Sequence, residues 1–216
     1  MTERDGALER AELLLALRKR GIRDTMVLRA FEQVPRDLFV EAGFRDIAWT
    51  DQALPIDCGQ TISQPAVVAM MTDALELKPS HTVLEVGTGS GYHAAILGHI
   101  AGQVVSVERF RTLAELAAGR LKELGLDNVE VFIADGMLGY PARAPFDRIV
   151  LNAAVGEVPE ALFEQLKPGG ILVAPVGPAE ATQMLTRYRK GEEGLEKREL
   201  GLVRFVPMRP GVASVL

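Results

Sequence analysis

Apolar positions along the chain change period near residue 64. Before it, Leu8, Leu14 or Leu15 and Leu17 fall at helical spacing until Gly21 interrupts them. Asp24 can cap a second helix whose apolar face includes Val27, Leu28 and Phe31, and Pro35 ends it. Residues 44–62 show no helical period and contain Pro55 and Gly59, which predicts an extended, loop-like stretch. From residue 64 short apolar runs alternate with helical patterns. The pattern predicts a helix over 65–77, a strand at Val83–Val86, a glycine-rich turn, a helix near 92–100 and a strand at 103–107. A helix over 110–125 follows, with Leu113, Leu116, Ala117 and Leu121 on one side. Further strands fall at 129–133, 146–151 and 170–175, with a helix around 159–166. Strands alternating with helices imply βαβ crossovers and a mostly parallel sheet. Residues 183–190 and 198–208, separated by Gly191 and Gly194, predict an antiparallel hairpin at the sheet edge.

The organisation that follows is one domain over 1–216. It has a helical and loop extension (1–62), an α/β core (63–180) and C-terminal strands (181–216). The composition, 48% hydrophobic and 25% charged, is that of a globular chain with a full core. No stretch approaches the roughly 20 apolar residues of a membrane span, so no membrane association is expected. Met1–Arg10 has no apolar h-region, and Cys58 is the single cysteine, so a reducing cytoplasm is expected. A net charge of −5 argues against a nucleic-acid partner, which would need a basic footprint.

The strongest local signal is Val83-Leu84-Glu85-Val86-Gly87-Thr88-Gly89-Ser90-Gly91-Tyr92, a strand entering three glycines before a helix. Glycine permits positive φ and lets a ligand lie against the backbone. In an open parallel sheet such a turn sits at the carboxyl end of a strand, where ligands bind. The pattern is G-x-G-x-G. A dinucleotide fingerprint would put its third glycine at Tyr92, and no P-loop motif is present. The alternative is an ordinary tight turn. Three acidic positions bear on the choice. Glu85 lies inside an apolar strand, where a carboxylate costs free energy unless something uses it. Glu108 ends the next strand, either in solvent or as an acceptor for ribose hydroxyls. Asp135-Gly136 follows the third strand, either as a plain turn or beside an adenine amino group.

In this order and spacing the acidic residues and glycines resemble the S-adenosylmethionine-dependent methyltransferase fold, a Rossmann-like doubly wound sheet with helices on both faces. The segment Gly59-Gln60-Thr61-Ile62-Ser63-Gln64-Pro65 resembles the signature of the protein-L-isoaspartate O-methyltransferases. Agreement continues through Gly87–Ala95, Val107-Glu108-Arg109, Ala144-Pro145-Phe146-Asp147, Leu166–Gly170, Pro175-Val176-Gly177 and Val203–Met208.

The resemblance implies methyl transfer from S-adenosyl-L-methionine, leaving S-adenosyl-L-homocysteine, to isoaspartyl proteins and peptides, as a step of protein repair. It implies Ser63 as the active-site serine and as a substrate contact. It places Gln60, Thr61, Ile62, Ser63, Glu85, Gly87, Thr88, Gly89, Gly91, Glu108, Arg109, Asp135 and Gly136 around the cofactor. It places Ala154 and the Phe205-Val206-Pro207 backbone, Val206 foremost, beside the substrate. A monomer is expected. Asp57-Cys58 and Asn152-Ala153-Ala154-Val155-Gly156 depart from the family pattern near the pocket mouth.

The chemistry makes few demands. In an isoaspartyl linkage the α-carboxyl is free, and at a pKa of about 3.3–3.7 it is already ionised at pH 7. The methyl donor is a sulfonium, so neither a general base nor a metal is needed, only alignment. His81, His93 and His99 show no ligand spacing and read as structural or exposed. Cys58 reads as inert. Ser63-Gln64-Pro65 also reads as a helix cap, with the helix N-terminus offering N–H groups to a carboxylate. Two rival readings remain from sequence: a methyltransferase with another acceptor, and a cofactor-binding homologue without turnover.

Overall fold

The structure, a computed structural model, describes residues 3–213; residues 1–2 and 214–216 of the expected 1–216 domain lie outside the description. Two N-terminal helices, α1 (Glu3–Lys19) and α2 (Thr25–Gln33), lead the chain. Asp24 caps α2 as its position predicts: its Oδ1 accepts the N–H groups of Met26 (2.7 Å) and Val27 (3.3 Å). Short 3₁₀ turns at Arg36–Phe39 and Ala42–Ile47 follow.

The stretch over 44–62 is more ordered than its pattern predicts. Strands β1 (Leu54–Ile56) and β2 (Gln60–Ile62) pair as an antiparallel hairpin. Its turn uses Cys58 and Gly59 at φ 57° and 65°. Three-residue strands carry too little alternation to be read, and Pro55 sits within one of them.

Helix α3 (Pro65–Ala74) opens the α/β core. Then come β3 (Thr82–Val86), α4 (Tyr92–Gly98), β4 (Gln103–Glu108), α5 (Arg111–Glu123), β5 (Val129–Ile133) and β6 (Phe146–Leu151). Helix α6 (Glu160–Glu164) and strands β7 (Leu166–Val176), β8 (Gln183–Lys190) and β9 (Leu195–Val203) complete the chain. The seven-stranded sheet runs β5-β4-β3-β6-β7-β8-β9. Its first five strands are parallel, and β8 and β9 add antiparallel at one edge.

Strand alternation divides the core. Val83, Val104, Val150, Ile171 and Val173 join one apolar cluster with the N-terminal helices, α3 and α4. Leu84, Val86, Val105, Val107, Ile149 and Leu151 face the other way, onto α6. Both faces of the sheet are covered, as a parallel sheet requires.

Two expectations need correction. Leu116 is 40% exposed; the buried stripe of α5 is Leu113, Ala114, Ala117 and Leu121. The last strand ends at Val203 rather than 208, because residues 206–208 leave the hairpin and pair with Ala154 instead.

Candidate active site

Parallel strands β3, β4, β5 and β6 all end on one side of the sheet, and the cleft opens there. The glycine turn leaves β3, an interior strand with parallel neighbours on both sides. Gly87 N–H donates to Val107 O (2.8 Å), so the turn is tied to β4 as it begins. Gly87, Gly89 and Gly91 all have positive φ, which L side chains rarely adopt.

Glu108, at the end of β4, points into that turn. Its Oε2 accepts Gly89 N–H at 2.9 Å, and its Oε1 accepts the N–H groups of Arg109 (2.8 Å) and Phe110 (3.0 Å). Three backbone donors fix the carboxylate, and it still borders the cleft. Phe110, Val86, Val107 and Met208 supply apolar wall, and Gly136 packs directly against the Val86 side chain, where a Cβ would not fit.

The hairpin β1–β2 forms the roof. Gln60, Thr61, Ile62 and Ser63 line the cleft, together with Gly87, Thr88, Gly89, Glu108, Arg109, Gly136 and Val206. A second groove abuts it, bordered by Val67, Glu180, Arg204 and Phe205, and shares Thr61, Ser63, Asn152, Val206 and Pro207 with the cleft. Ser63 therefore stands where a cofactor cavity and an acceptor groove would meet.

Four expected contacts lie off the cleft wall. Glu85 is fully buried beneath it, between Ser106 Oγ (2.5 Å from Oε2) and Asn152 Nδ2 (2.8 Å from Oε1). The register pairing Glu85 with Ser106 brings that hydroxyl alongside. Burial pushes the Glu85 carboxyl up to about 8, against the pull of the Ser106 and Asn152 hydrogen bonds. Gly91 serves packing: a Cβ there would lie 3.0 Å from Ala117 Cβ on α5. Asp135 turns away, its Oδ1 accepting Met137 N–H (2.9 Å) and its Oδ2 Gly211 N–H (2.7 Å), which ties down the C-terminal segment. Ala154 is buried, and its N–H and C=O are spent on Val206 O (2.8 Å) and Met208 N (2.7 Å). It holds the Val206-Pro207 wall in place.

Ser63 does not cap α3. Gln64 occupies the cap position, and the capping oxygen comes from Asp51, whose Oδ1 accepts Ala66 N–H at 2.8 Å. The N–H groups of Val67 and Val68 go to Gln64 O (3.0 and 3.1 Å), and Pro65 has none. The first-turn amides are therefore committed. Among the described residues the Ser63 hydroxyl has no hydrogen-bond partner and is left to act in the groove.

His93 and Asn152 also line the cleft, which the sequence reading did not anticipate for His93. His93 Nδ1 is 3.0 Å from Asn152 Oδ1 and 3.9 Å from Glu85 Oε1. That spacing resembles an ion pair, but burial drives both groups towards neutrality, His93 down to about 4 and Glu85 up to about 8. The contact is a neutral one, mediated by Asn152. Asn152, expected near the pocket mouth, is the first residue beyond a parallel strand adjoining the glycine strand.

The family model for protein-L-isoaspartate(D-aspartate) O-methyltransferase matches residues 8–213. The chain belongs to that family. A protein-L-isoaspartate O-methyltransferase from Azorhizobium caulinodans is 56% identical over 208 residues, 96% of either chain. One from Xanthobacter autotrophicus is also 56% identical, over 96% of this chain and 95% of the other. A solved protein-L-isoaspartate O-methyltransferase superposes with a TM-score of 0.85 at 31% identity, covering 94% of this chain and 67% of that one. A Plasmodium falciparum structure described as of this type, in complex with S-adenosyl-L-homocysteine, gives 0.78 at 27% identity, over 92% and 97%. The family's reaction uses S-adenosylmethionine and acts on isoaspartyl protein, and the fold is the Rossmann-like one its motifs imply.

Proposed function

We propose that the cleft binds S-adenosylmethionine along the β3–β4 edge and delivers its methyl group to an isoaspartyl α-carboxylate lying in the adjoining groove. The observation that carries this reading is the junction of the two cavities at Thr61, Ser63 and Val206, opposite the glycine turn. The residues present suit that cofactor. Glu108 offers fixed acceptor oxygens for a ribose diol, and Gly87 and Gly89 let the backbone approach closely. Phe110, Val86 and Val107 border an apolar slot beside Gly136, which suits a flat ring.

The bound sulfonium supplies an activated methyl group. The chain's own contribution is orientation. The acceptor is ionised before it arrives, so no residue has to remove a proton from it. The Ser63 hydroxyl donates to that carboxylate and aims one oxygen along the line of transfer. Val206 and Pro207, held by Ala154, form the wall opposite β2 and confine the peptide.

The N-terminal segment belongs to the same unit on this reading: Phe31, Phe39 and Tyr92 stack edge-on within one core cluster. We read the enzyme as a cytoplasmic monomer without a nucleic-acid partner. Its net charge of −5 supports the last point.

The test is transfer of label from S-adenosylmethionine to an isoaspartyl peptide, run beside its aspartyl twin. The reading expects label on the isoaspartyl peptide alone. Equal labelling of both, or of neither, would overturn it.

A further inference from the structure

Under the cleft floor a chain of polar side chains joins four elements. Thr72 on α3 lies 3.1 Å from His93 Nε2 on α4. His93 Nδ1 lies 3.0 Å from Asn152 Oδ1, just beyond β6. Asn152 Nδ2 donates to Glu85 Oε1 in β3 (2.8 Å) and to Gly87 O (3.2 Å). Thr72, His93 and Glu85 are all buried, so each polar atom must find its partner within the protein.

The Gly87 carbonyl, which can only accept, selects one arrangement. Both Asn152 amide hydrogens are spent on Glu85 and Gly87. Its oxygen faces His93 Nδ1, so that nitrogen must carry a hydrogen. Burial keeps the imidazole neutral, with one hydrogen only. Nε2 is then bare and accepts from the Thr72 hydroxyl, which otherwise donates to Val68 O at 2.8 Å. An Asn152 amide turned by 180° would set its N–H₂ against the Nδ1–H and its oxygen against the Gly87 carbonyl. The His93 Nδ1–H thus supports the Asn152 orientation that holds the Gly87 carbonyl. Asn152 in turn lines both the cofactor cleft and the acceptor groove, and it holds the carbonyl of Gly87, the first glycine of the turn.

We propose that His93 and Asn152 are positioning residues for the cofactor: the His93 Nδ1–H locks the Asn152 amide, and the Asn152 amide sets the Gly87 peptide against which the amino-acid end of S-adenosylmethionine lies. The proposal rests on the cofactor placement given above. It assigns His93 a role in affinity rather than in the chemical step, because His93 borders the cofactor cleft and not the acceptor groove.

Two measurements test it. In nitrogen-15 spectra of the wild-type enzyme, His93 is the neutral Nδ1–H tautomer, free and with S-adenosylhomocysteine; an Nε2–H tautomer would overturn the proposal. His93→Leu removes the donor, whereas His93→Asn keeps an N–H near the Nδ1 position. Losing one buried hydrogen bond corresponds to roughly 5–10-fold weaker binding of S-adenosylmethionine and S-adenosylhomocysteine in His93→Leu, with kcat at saturating cofactor within about twofold. His93→Asn recovers most of that affinity. Equal losses in the two variants, or none in either, would sink the positioning role. If His93→Leu does not fold, the wild-type tautomer and near-normal affinity of His93→Asn decide. Failure of the wild-type enzyme to bind the cofactor at all would strike the functional reading instead and is seen separately by calorimetry.

Discussion

Glu108 Oε2 accepts the backbone N–H of Gly89 at 2.9 Å, joining the end of β4 to the middle of the glycine turn leaving β3. One carboxylate thereby orders the turn and presents acceptors to the cleft. Replacing it removes both functions. Glu108→Ala is expected to weaken S-adenosylmethionine binding by about 1–3 kcal/mol, the range for hydrogen bonds to a charged group. Glu108→Gln keeps one acceptor oxygen and should lose less. Titration calorimetry on the two variants checks the order, and wild-type affinity in Glu108→Ala would refute the ribose role.

Ser63 separates binding from transfer. Ser63 lines both cavities and plays no part in capping α3. Ser63→Ala should therefore lower kcat/KM for an isoaspartyl peptide by about 10–100-fold, the loss of one hydrogen bond to a charged acceptor, while S-adenosylhomocysteine affinity changes little. Unchanged turnover would remove Ser63 from the mechanism.

Asp51 carries the capping duty instead. It accepts from Ala66 N (2.8 Å) and Gln64 Nε2 (3.0 Å) and pairs with Arg20 at 2.8 Å. Asp51→Ala should destabilise the fold by about 1 kcal/mol, a typical value for a lost cap. Asp51→Asn retains an oxygen and should cost less. Urea denaturation distinguishes them. The exposed Arg20 pair adds little to this sum.

The buried Glu85 and His93 give stability a defined pH dependence. Glu85 rises from 4.5 to about 8 on folding, so its contribution is full below pH 4.5 and is lost as pH climbs to about 8. His93 falls from 6.5 to about 4, so its contribution is full above pH 6.5 and is lost as pH drops towards 4. Glu85→Gln removes only the first effect. Relative to wild type it should gain up to about 1.4 kcal/mol per pH unit between pH 5 and 8 and then level off. Melting temperatures across that range test this, and a gap independent of pH would show that Glu85 is ionised in the folded enzyme.

The parallel core was legible because its strands are short apolar runs bounded by turns, and the glycine turn announced where the cleft would open. The Asp24 cap was equally plain, since it acts on its own next residues. What escaped the sequence depends on distant partners. Asp51 caps a helix fifteen residues on. Asp135 and Ala154 match a family pattern yet are engaged by Gly211 and Met208, contacts made only once the tail folds back. Glu85 and Gly91 were expected at the cofactor because local pattern does not distinguish a residue on a cavity wall from one just behind it. His93 has no spacing that marks it; only the fold brings Asn152 to its Nδ1.

The most direct test is a crystal structure with S-adenosylhomocysteine bound. The ribose hydroxyls should lie within hydrogen-bond distance of Glu108, with the amino-acid end over Gly87 and the sulfur facing Ser63. A ligand seated elsewhere, or a Glu108 carboxylate making no contact with the ribose, would contradict the account.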